Sequence, residues 1–240
     1  MHTLFVIAHQ DDEIALVSRM RLCVGRGDRI TCICLTDGAT RIDAATRDEE
    51  TKRVLATLDV HDYRVGHERI ADGTLPDHLD AALALLESQA DAFDEVVTLA
   101  WEGGHQDHDA AHLVAALFAE RRNLPCLELP LYNGHGSRGP LFRVNHPVGD
   151  GWRERRIARR EYLANVLLAR HYRSQRKTWL GLAPLLLLGR PREFTRIADL
   201  RRAAGPPHPL PLLYERRFGY PYDRFAARAA AFLRRRSAPG

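Results

Sequence analysis

The stretch TLFVIAHQDDE (residues 3–13) decides the fold of this chain of 240 residues. Its first part, Thr3–Ala8, is a continuous apolar run, which is typical of a strand buried on both faces of a parallel sheet. Polar residues follow at once, and apolar residues then recur at helical spacing over Asp12–Val24. A buried strand that leads directly into a helix predicts an α/β fold.

The same alternation of strand and helix continues through the first half of the chain. Apolar runs predict further strands at Arg29–Leu35, Asp62–Val65, Glu95–Ala100 and Pro125–Leu131. Apolar residues at helical spacing predict further helices at Ala44–Leu58, Pro76–Ala90 and Asp107–Arg121. This order predicts a Rossmann-like open parallel sheet with helices on both faces, because parallel strands are joined by crossover helices.

The second half of the chain has a different pattern. Gly, Pro, His and Asn are frequent over Asn133–Trp152, which predicts a long loop. The basic segment Arg153–Tyr172 is predicted to be one helix, and Tyr222–Arg236 is predicted to be the last helix. Residues Gly189–Leu213 are rich in proline and are predicted to be irregular.

The formal net charge of +4 hides an asymmetry between the two halves. Residues 1–151 hold 14 Lys and Arg against 25 Asp and Glu, whereas residues 152–240 hold 21 against 6. We expect one α/β domain over residues 1–240, with a core sheet in residues 1–132 and a loop and basic helical extension in residues 133–240 that covers the site. The basic half lacks a nucleic-acid-binding motif, so it predicts contact with an acidic substrate and not with nucleic acid.

The composition and the apolar runs of the chain lead us to expect neither a secreted nor a membrane-spanning protein. The start of the chain lacks the basic and long apolar regions of a secretion signal. The longest apolar-rich run, Trp179–Gly189, is shorter than the ~20 residues that a membrane-spanning helix needs. Four cysteines are too few for a disulfide scaffold, and Cys32 and Cys34 are predicted to be buried on one face of a strand. We expect a soluble cytoplasmic protein, and the basic half suggests peripheral contact with the inner membrane surface.

Metal-binding residue types are concentrated in two segments. His9–Glu13 comes directly after the first predicted strand, and Glu102–Asp109 follows the predicted strand Glu95–Ala100. An open parallel sheet binds its ligands outside the carboxyl ends of the strands, where the strand order reverses. Since both segments are predicted at this edge of the sheet, we expect them to meet although they are far apart in the sequence.

A catalytic zinc site takes three protein ligands, from His and carboxylate side chains, and keeps a position open for water. His9, Asp12 and one histidine of the second segment supply such a set. The side chains of adjacent residues point apart, so Asp11 is free to take a proton from a water molecule whose pKa the metal lowers. Each segment alone also has a purely structural explanation. In the first segment, acidic residues are favoured at the start of a helix by the helix dipole. In the second segment, His105, His108 and His112 have helical spacing and could simply line one face of a helix.

The two segments resemble signature motifs of the PIG-L/LmbE-like zinc-dependent N-acetylglucosaminyl de-N-acetylases. His9-Gln10-Asp11-Asp12-Glu13 is similar to the His-Pro-Asp-Asp-Glu motif of that family. The second segment is similar to its His-Pro-Asp-His motif and reads His105-Gln106-Asp107-His108. Three other parts of the chain also resemble segments of that family. They are Thr36-Asp37-Gly38, the pair Arg47 and Glu50, and Tyr172-Arg173-Ser174-Gln175. Both family prolines are replaced here by glutamine, at Gln10 and Gln106.

The resemblance implies that the chain hydrolyses the N-acetyl group of an amino sugar in a glycoconjugate, natural product or glycan precursor. It implies a single Zn²⁺ bound by His9, Asp12 and His108, with Asp11 as the general base. An anionic or lipid-linked glycan is the substrate that the basic half suggests.

The resemblance also implies roles for four other residues. His105 would stabilise the oxyanion or protonate the leaving amine, and Asp107 would orient His105. Arg47 and Asp72 would contact sugar hydroxyls. The pocket wall is expected to come from the long loop and its surroundings, with Tyr132, His135, Arg143, His146 and Trp152.

Three other functions remain open from the sequence. A metal-dependent phosphoesterase would use more carboxylates, often around two metal ions, and Asp11, Asp12, Asp107 and Asp109 are present. A nucleic-acid-binding protein would use the basic half, with an affinity that depends strongly on salt. A sugar-binding module without activity would lack catalytic groups, all of which are present here.

Overall fold

The computed structural model describes residues 1–38, 43–66, 70–187 and 189–237. The strands in these residues are β1 (His2–Ile7), β2 (Arg29–Cys34), β3 (Asp62–Val65), β4 (Glu95–Leu99), β5 (Cys126–Leu129), β6 (Tyr132–Asn133), β7 (Arg143–Val144), β8 (Arg153–Arg156) and β9 (Arg192–Ile197). The α-helices are α1 (Glu13–Gly25), α2 (Ala44–Ala56), α3 (Leu79–Glu87), α4 (Gln106–Arg121), α5 (Arg159–Leu167), α6 (Arg176–Leu187), α7 (Leu213–Phe218) and α8 (Tyr222–Ser237). Short 3₁₀ turns cover Leu75–Asp77, Leu168–His171 and Leu200–Ala204.

The main sheet has seven strands in the order β3-β2-β1-β4-β5-β9-β8. The strands from β3 to β5 are parallel, whereas β9 pairs antiparallel with both β5 and β8. The chain moves outward from β1 through β2 to β3 and then places β4 on the other side of β1, so the strand order reverses between β1 and β4. The predicted α/β fold with an open sheet is confirmed, and the sheet is mostly parallel because β9 alone runs antiparallel to its neighbours among the described strands of this sheet. The crevice at this reversal is the place where such sheets bind ligands.

Side chains of β1 alternate between two hydrophobic cores, one on each face of the sheet. Leu4 and Val6 belong to the core formed with α3, α4 and α8, whereas Phe5 and Ile7 belong to the core formed with α1 and α2. This alternation follows from the two-residue period of a strand. Each of these side chains is fully buried, and burial of one contributes about 1.5–3 kcal/mol. The segment after β1 therefore starts from a strand that is held on both faces.

The second half departs from the predicted pattern. The segment Arg153–Tyr172 is not one helix, because it contains β8, then α5, then a 3₁₀ turn. The segment Gly189–Leu213 is not wholly irregular, because it contains β9. These strands are charged and lack the apolar alternation that predicts a strand. Tertiary ion pairs stabilise them instead: buried Arg196 of β9 bonds to Glu128 of β5, and Arg155 of β8 bonds to Glu193 of β9 at 2.9 Å.

The carboxy-terminal helix α8 packs on the α3 and α4 side of the sheet. Its apolar side chains Phe225 and Phe232 are fully buried in that core. On its charged side Arg224 donates to Asp77, and Arg235 donates to Asp80, each at 2.7 Å. Some arginines of the basic second half therefore form ion pairs with aspartates of the acidic first half. Among the described helices, none has the length and apolarity required to cross a membrane.

Candidate active site

The segment after β1 forms one wall of the crevice. The carboxylate of Asp12 accepts a hydrogen bond from the backbone N–H of His9 at 2.8 Å. Asp11 has a φ angle of +92°, which a residue with a side chain seldom adopts. Its own N–H donates to the carboxylate of Glu13 at 3.0 Å. Backbone strain of this kind persists where the surroundings impose it, and it is common at active sites.

The segment after β4 leads into the first turn of α4. His105 caps this helix, since its Nδ1 accepts a hydrogen bond from the N–H of Asp107 at 3.1 Å. This hydrogen bond places the proton of the neutral His105 ring on Nε2. Asp107 and His108 occupy the first turn and are buried. Carboxylates near a helix N-terminus are stabilised by the helix dipole.

The structure brings the two segments together. One carboxylate oxygen of Asp12 lies 3.1 Å from Nε2 of His108, and the other lies 3.5 Å from Nδ1 of His9. The ring centres of His9 and His105 are 4.9 Å apart, and those of His105 and His108 are 5.2 Å apart. The meeting of these residues follows from the reversal of strand order between β1 and β4.

Two further carboxylates contact the other side of the His9 ring. Nε2 of His9 lies 3.0 Å from Asp107 and 3.1 Å from Asp72. The Asp107 carboxylate also accepts the backbone N–H of Gly73 at 2.6 Å and that of Leu75 at 3.2 Å. The structure therefore directs the Asp107 carboxylate to His9, and only its backbone N–H reaches His105. A contact of Asp72 with a sugar hydroxyl stays a prediction.

The donor set fits a divalent metal ion. Within the described residues, two groups have ligand atoms that lie within 4.8 Å of one another, and they are His9 with His105 and His108, and His9 with Asp72 and Asp107. Since Nε2 of His9 is bonded to Asp107, its Nδ1 is the atom left for a metal, and that atom faces Asp12. Neither group contains Asp12, although its carboxylate lies between the His9 and His108 rings, so a metal site of His9, Asp12 and His108 stays a prediction. Two imidazoles and a carboxylate match the ligands of catalytic zinc sites, and a carboxylate behind a metal-binding histidine is common.

The adjacent carboxyls Asp11 and Asp12 have different electrostatic surroundings. Burial raises the pKa of Asp11 to about 7, against the opposing charge of Arg47. Burial alone would also raise the pKa of Asp12, but the His108 and His9 rings hold that pKa well below its usual range. Burial lowers the pKa of His105 to about 3, which keeps this ring neutral. Ionisable groups whose pKa values are pushed apart are typical of acid–base sites.

Arg47 of α2 lies beneath Asp11. Its guanidinium donates to the carbonyl of Gly38 at 2.5 Å, to the carbonyl of Gln10, and to the Asp11 carboxylate at 3.2 Å. The Arg47 side chain is only 5% exposed. A sugar contact of Arg47 stays a prediction, and the contacts in the structure hold the loop of Asp11.

The Tyr172–Gln175 segment is anchored near the same loop. The carboxylate of Glu50 accepts hydrogen bonds from the backbone N–H of Ser174 at 3.0 Å and from its hydroxyl at 2.5 Å. The hydroxyl of Tyr172 bonds to Glu13, the residue that also accepts the N–H of Asp11. Because Tyr172 is fixed to α1 and Ser174 to α2, the neighbouring residue Gln175 reaches the site although it is far from both helices in the sequence.

The two glutamines at the family proline positions form side-chain hydrogen bonds. The amide of Gln10 donates to Asp48 of α2 at 2.7 Å, and that of Gln106 donates to the carbonyl of Gly73 at 3.2 Å. Both side chains are buried. Gln106 therefore helps to hold the loop that carries Asp72.

His112 lies away from the predicted metal ligands and packs against β4 and β5. Its Nδ1 lies 3.1 Å from the carbonyl of Leu99 and 3.1 Å from the carboxylate of Glu128, which Arg196 also contacts. The Asp109 carboxylate likewise accepts the backbone N–H groups of Glu102 and Gly103, both at 3.1 Å. These groups stabilise the turn after β4 and the start of α4.

A cavity of about 560 Å³ opens above the site. Its floor contains the predicted residues His9, Asp11, Asp12, Arg47, Asp72, His105 and His108. Its walls consist of Leu131, Tyr132, Phe142, Gln175, Thr178, Trp179, Leu182, Leu185, Arg217 and Phe218.

Most of the residues that form these walls were not predicted from the sequence. Tyr132 lines the cavity as expected, whereas Trp152 lies under the guanidinium of Arg196, 4.2 Å from it. Nothing in the sequence distinguishes Arg217 from the other basic residues of the second half. An apolar wall residue such as Trp179 is likewise indistinguishable from a core residue before the chain has folded.

Several solved structures share this fold. A deacetylase of teicoplanin biosynthesis, solved as a complex with bog, has a TM-score of 0.62 at 16% identity, covering 82% of this chain and 97% of that chain. The N,N'-diacetylchitobiose deacetylase of Pyrococcus horikoshii has a TM-score of 0.60 at 17% identity, with coverage of 84% and 85%. The zinc-inhibited form of a teicoplanin deacetylase has a TM-score of 0.58 at 15% identity, with coverage of 82% and 97%.

The family comparison agrees with the motifs of the site. No curated protein matches the chain. The family model described as PIG-L, GlcNAc-PI de-N-acetylase, matches residues 4–118, which include both ligand-bearing segments and α2. Residues 4–118 of the chain are therefore similar to the PIG-L family of deacetylases.

Proposed function

We propose that this chain hydrolyses the N-acetyl group of an amino sugar, with one divalent metal ion such as Zn²⁺ held by His9, Asp12 and His108. The observation that carries the proposal is the position of the Asp12 carboxylate between the His9 and His108 rings, with Asp11 beside it in the same cavity. When bound, the metal would polarise the amide carbonyl and raise the acidity of a water molecule.

Asp11 acts as the general base. Its ionised carboxylate takes a proton from water as the water oxygen attacks the amide carbon. The same proton then passes to the departing nitrogen, so the C–N bond breaks and gives a free amine and acetic acid, which loses its proton to water as acetate. A pKa of about 7 suits a group that both accepts and returns a proton near neutral pH. Arg47, 3.2 Å from the Asp11 carboxylate, orients it.

His105 acts as a hydrogen-bond donor to the oxyanion that develops on the amide oxygen. Its Nδ1 is occupied by the N–H of Asp107, so Nε2 carries the proton of the neutral ring. A donor that is oriented before the reaction stabilises the developing charge without reorganisation. The Asp107 carboxylate has a positioning role at Nε2 of His9, which leaves Nδ1 of His9 for the metal.

The cavity suits a sugar derivative. A volume of about 560 Å³ lies in the range of small-molecule sites. Tyr132 and Phe142 have ring centres 5.5 Å apart and form an aromatic wall above the floor. The N,N'-diacetylchitobiose deacetylase, which has the same fold, supports an acetylated sugar as substrate.

The first experiment measures acetate release from N-acetylglucosaminides after removal of metal with a chelator and stepwise return of Zn²⁺. We expect activity to rise up to one metal ion per chain. Because one structural relative is described as zinc-inhibited, the titration continues to excess zinc and is repeated with other divalent ions. Full activity of the chelated protein would contradict the proposal.

The second experiment separates the base from the ligands. Asp11→Asn should lower kcat by ~10²- to 10⁴-fold and keep the metal, because general-base catalysis contributes about that factor. His108→Ala should lose both metal and activity. Asp199→Asn is a matched control, since Asp199 is paired with Arg201 outside the cavity. Loss of metal from the Asp11→Asn variant would refute the role of Asp11.

A metal-dependent phosphoesterase is less well supported by these contacts. Of the four aspartates that such a reaction would use, Asp11 and Asp12 line the cavity, whereas Asp107 and Asp109 do not. The carboxylates of Asp107 and Asp109 each accept two backbone N–H bonds instead. Two metal ions per chain in the active protein, with release of phosphate from a phosphate ester, would favour that reaction instead.

A further inference from the structure

The mouth of the cavity carries a cation that the proposed chemistry does not use. Arg217 of α7 lines the cavity and is exposed. Within the parts of the chain that the structure describes, no carboxylate pairs with Arg217 and no hydrogen bond engages its guanidinium. The other arginine of the cavity, Arg47, is buried and donates to Gly38, Gln10 and Asp11. Arg217 therefore has N–H donors free for a ligand.

Aromatic rings hold the Arg217 guanidinium near the histidines of the site. Its central carbon lies 5.1 Å from the ring centre of Phe142 and 5.5 Å from that of Phe218. The Phe218 ring packs edge-on against His105, with 4.7 Å between ring centres. The Phe142 ring packs against Tyr132, which in turn packs edge-on against His108. Cation–π contacts of this kind restrict the arginine and place it one ring away from His105.

The two ends of the cavity carry opposite charges. The floor holds the carboxylates of Asp11, Asp12 and Asp72. Without a metal these groups repel an anion, and with a metal they bind a cation. A negatively charged group of a substrate is therefore directed to the mouth, where Arg217 is the unpaired cation among the described lining residues. A planar guanidinium fits the two oxygens of a carboxylate or phosphate.

We propose that Arg217 forms an anion subsite, and that the substrate is an N-acetylated amino sugar that also carries a phosphate or a carboxylate. The acetamido group lies at the floor, and the anionic group contacts Arg217 at the mouth. This inference rests on the deacetylase function proposed above, and it adds the chemical class of the substrate.

The test compares kcat/KM for three substrates, namely N-acetylglucosamine 1-phosphate, an N-acetylglucosaminide with a carboxylate on its aglycone, and neutral methyl N-acetylglucosaminide. We expect the wild-type protein to prefer an anionic substrate by about tenfold, the effect of one charge-assisted contact. The two anionic substrates distinguish phosphate from carboxylate as the preferred group. Equal kcat/KM for all three substrates would overturn the subsite and leave the deacetylase function standing.

Variants assign the preference to Arg217. Arg217→Gln should lower the ratio of kcat/KM between anionic and neutral substrates about tenfold, through KM, and Arg217→Lys should restore part of it. Arg201→Gln is the matched control, because Arg201 is 91% exposed, pairs with Asp199 and lies outside the cavity. This control should keep the wild-type ratio. An unchanged ratio in Arg217→Gln would overturn the proposal.

A binding measurement makes the test independent of turnover. Calorimetric titration with glucosamine 1-phosphate, the expected product of the phosphate substrate, should show about tenfold weaker binding to Arg217→Gln than to the wild-type protein or Arg201→Gln. Equal binding to all three proteins would overturn the anion subsite. Absence of acetate release from every substrate by the metal-loaded protein would instead refute the proposed deacetylase function.

Discussion

Replacement of Arg47 by methionine tests whether this residue positions Asp11 or contacts the substrate. Methionine has a similar length but donates no hydrogen bond. The change removes three donated hydrogen bonds, to Gly38, to Gln10 and to the Asp11 carboxylate, from a side chain that is 5% exposed. It leaves the Asp11 carboxylate without its cation and two carbonyl groups without their donor.

The structure sets the size of the effect. Loss of one partner from a buried ion pair costs about 3–5 kcal/mol. The Asp11 side chain is 19% exposed, so water offsets part of this, and we expect the free energy of unfolding to fall by ~3 kcal/mol. For a chain of this size the melting temperature should fall by ~6–12 °C. Loss of the Arg47 charge should also raise the pKa of Asp11 further, so the rising limb of the pH–rate profile should move to higher pH.

The assay is urea unfolding of the metal-free protein followed by tryptophan fluorescence, together with a pH–rate profile of the metal-loaded protein. Arg53→Met is the control, because Arg53 lies on the same helix and is exposed. Its unfolding free energy should stay within ~0.5 kcal/mol of the wild-type value. If Arg47→Met is as stable as the wild type and only raises KM, Arg47 contacts the substrate and the positioning argument is wrong.

Three further predictions concern the surroundings of the site. Gly38→Ala should destabilise the protein by ~1–3 kcal/mol in thermal melts, because the added Cβ would lie 2.1 Å from Oε1 of Gln10 and the φ angle of Gly38 is +56°. An unchanged melting temperature would contradict this prediction and show that the loop at Gly38 adjusts without cost. Tyr172→Phe should lower the free energy of unfolding by ~1–3 kcal/mol, since its hydroxyl bonds to buried Glu13, and a neutral effect in urea would exclude this anchor. Burial raises the pKa of Glu102 to about 7, so the folded state binds this proton more tightly than the unfolded state does. Stability of the metal-free protein should therefore fall as the pH rises from about 4.5 to about 7, by at most ~3 kcal/mol from this group. Glu102→Gln should flatten this fall in urea titrations.

The meeting of the two polar segments could be anticipated from the first half of the sequence. The apolar runs Thr3–Ala8 and Glu95–Ala100 correspond to β1 and β4, and each is followed by residues of metal-binding types. Hydrophobic periodicity is a local property, so the strands and the helices between them are predictable without knowledge of the tertiary structure. The carboxyl ends of parallel strands lie at one edge of a sheet, which is why the two ligand segments could be expected to meet.

The second half was less predictable because its strands depend on distant partners. The segments that form β8 and β9 are rich in arginine and glutamate, a composition that favours a solvated helix. They extend the sheet because Arg196 finds the buried Glu128 of β5, a contact between residues that no local pattern connects. Contact of the basic half with a membrane surface stays a prediction, and four of its arginines pair with Asp77 and Asp80 in the structure.

The sequence by itself determined the residue types of the site and the edge of the sheet where they stand, since both follow from local pattern and strand direction. Only the tertiary structure decided which atoms meet. It directed the Asp107 carboxylate to His9 and not to His105, placed Arg47 under Asp11, and brought Arg217 to the mouth of the cavity. These pairings depend on distances of a few ångströms between residues far apart in the chain, and such distances arise only when the helices and strands pack together.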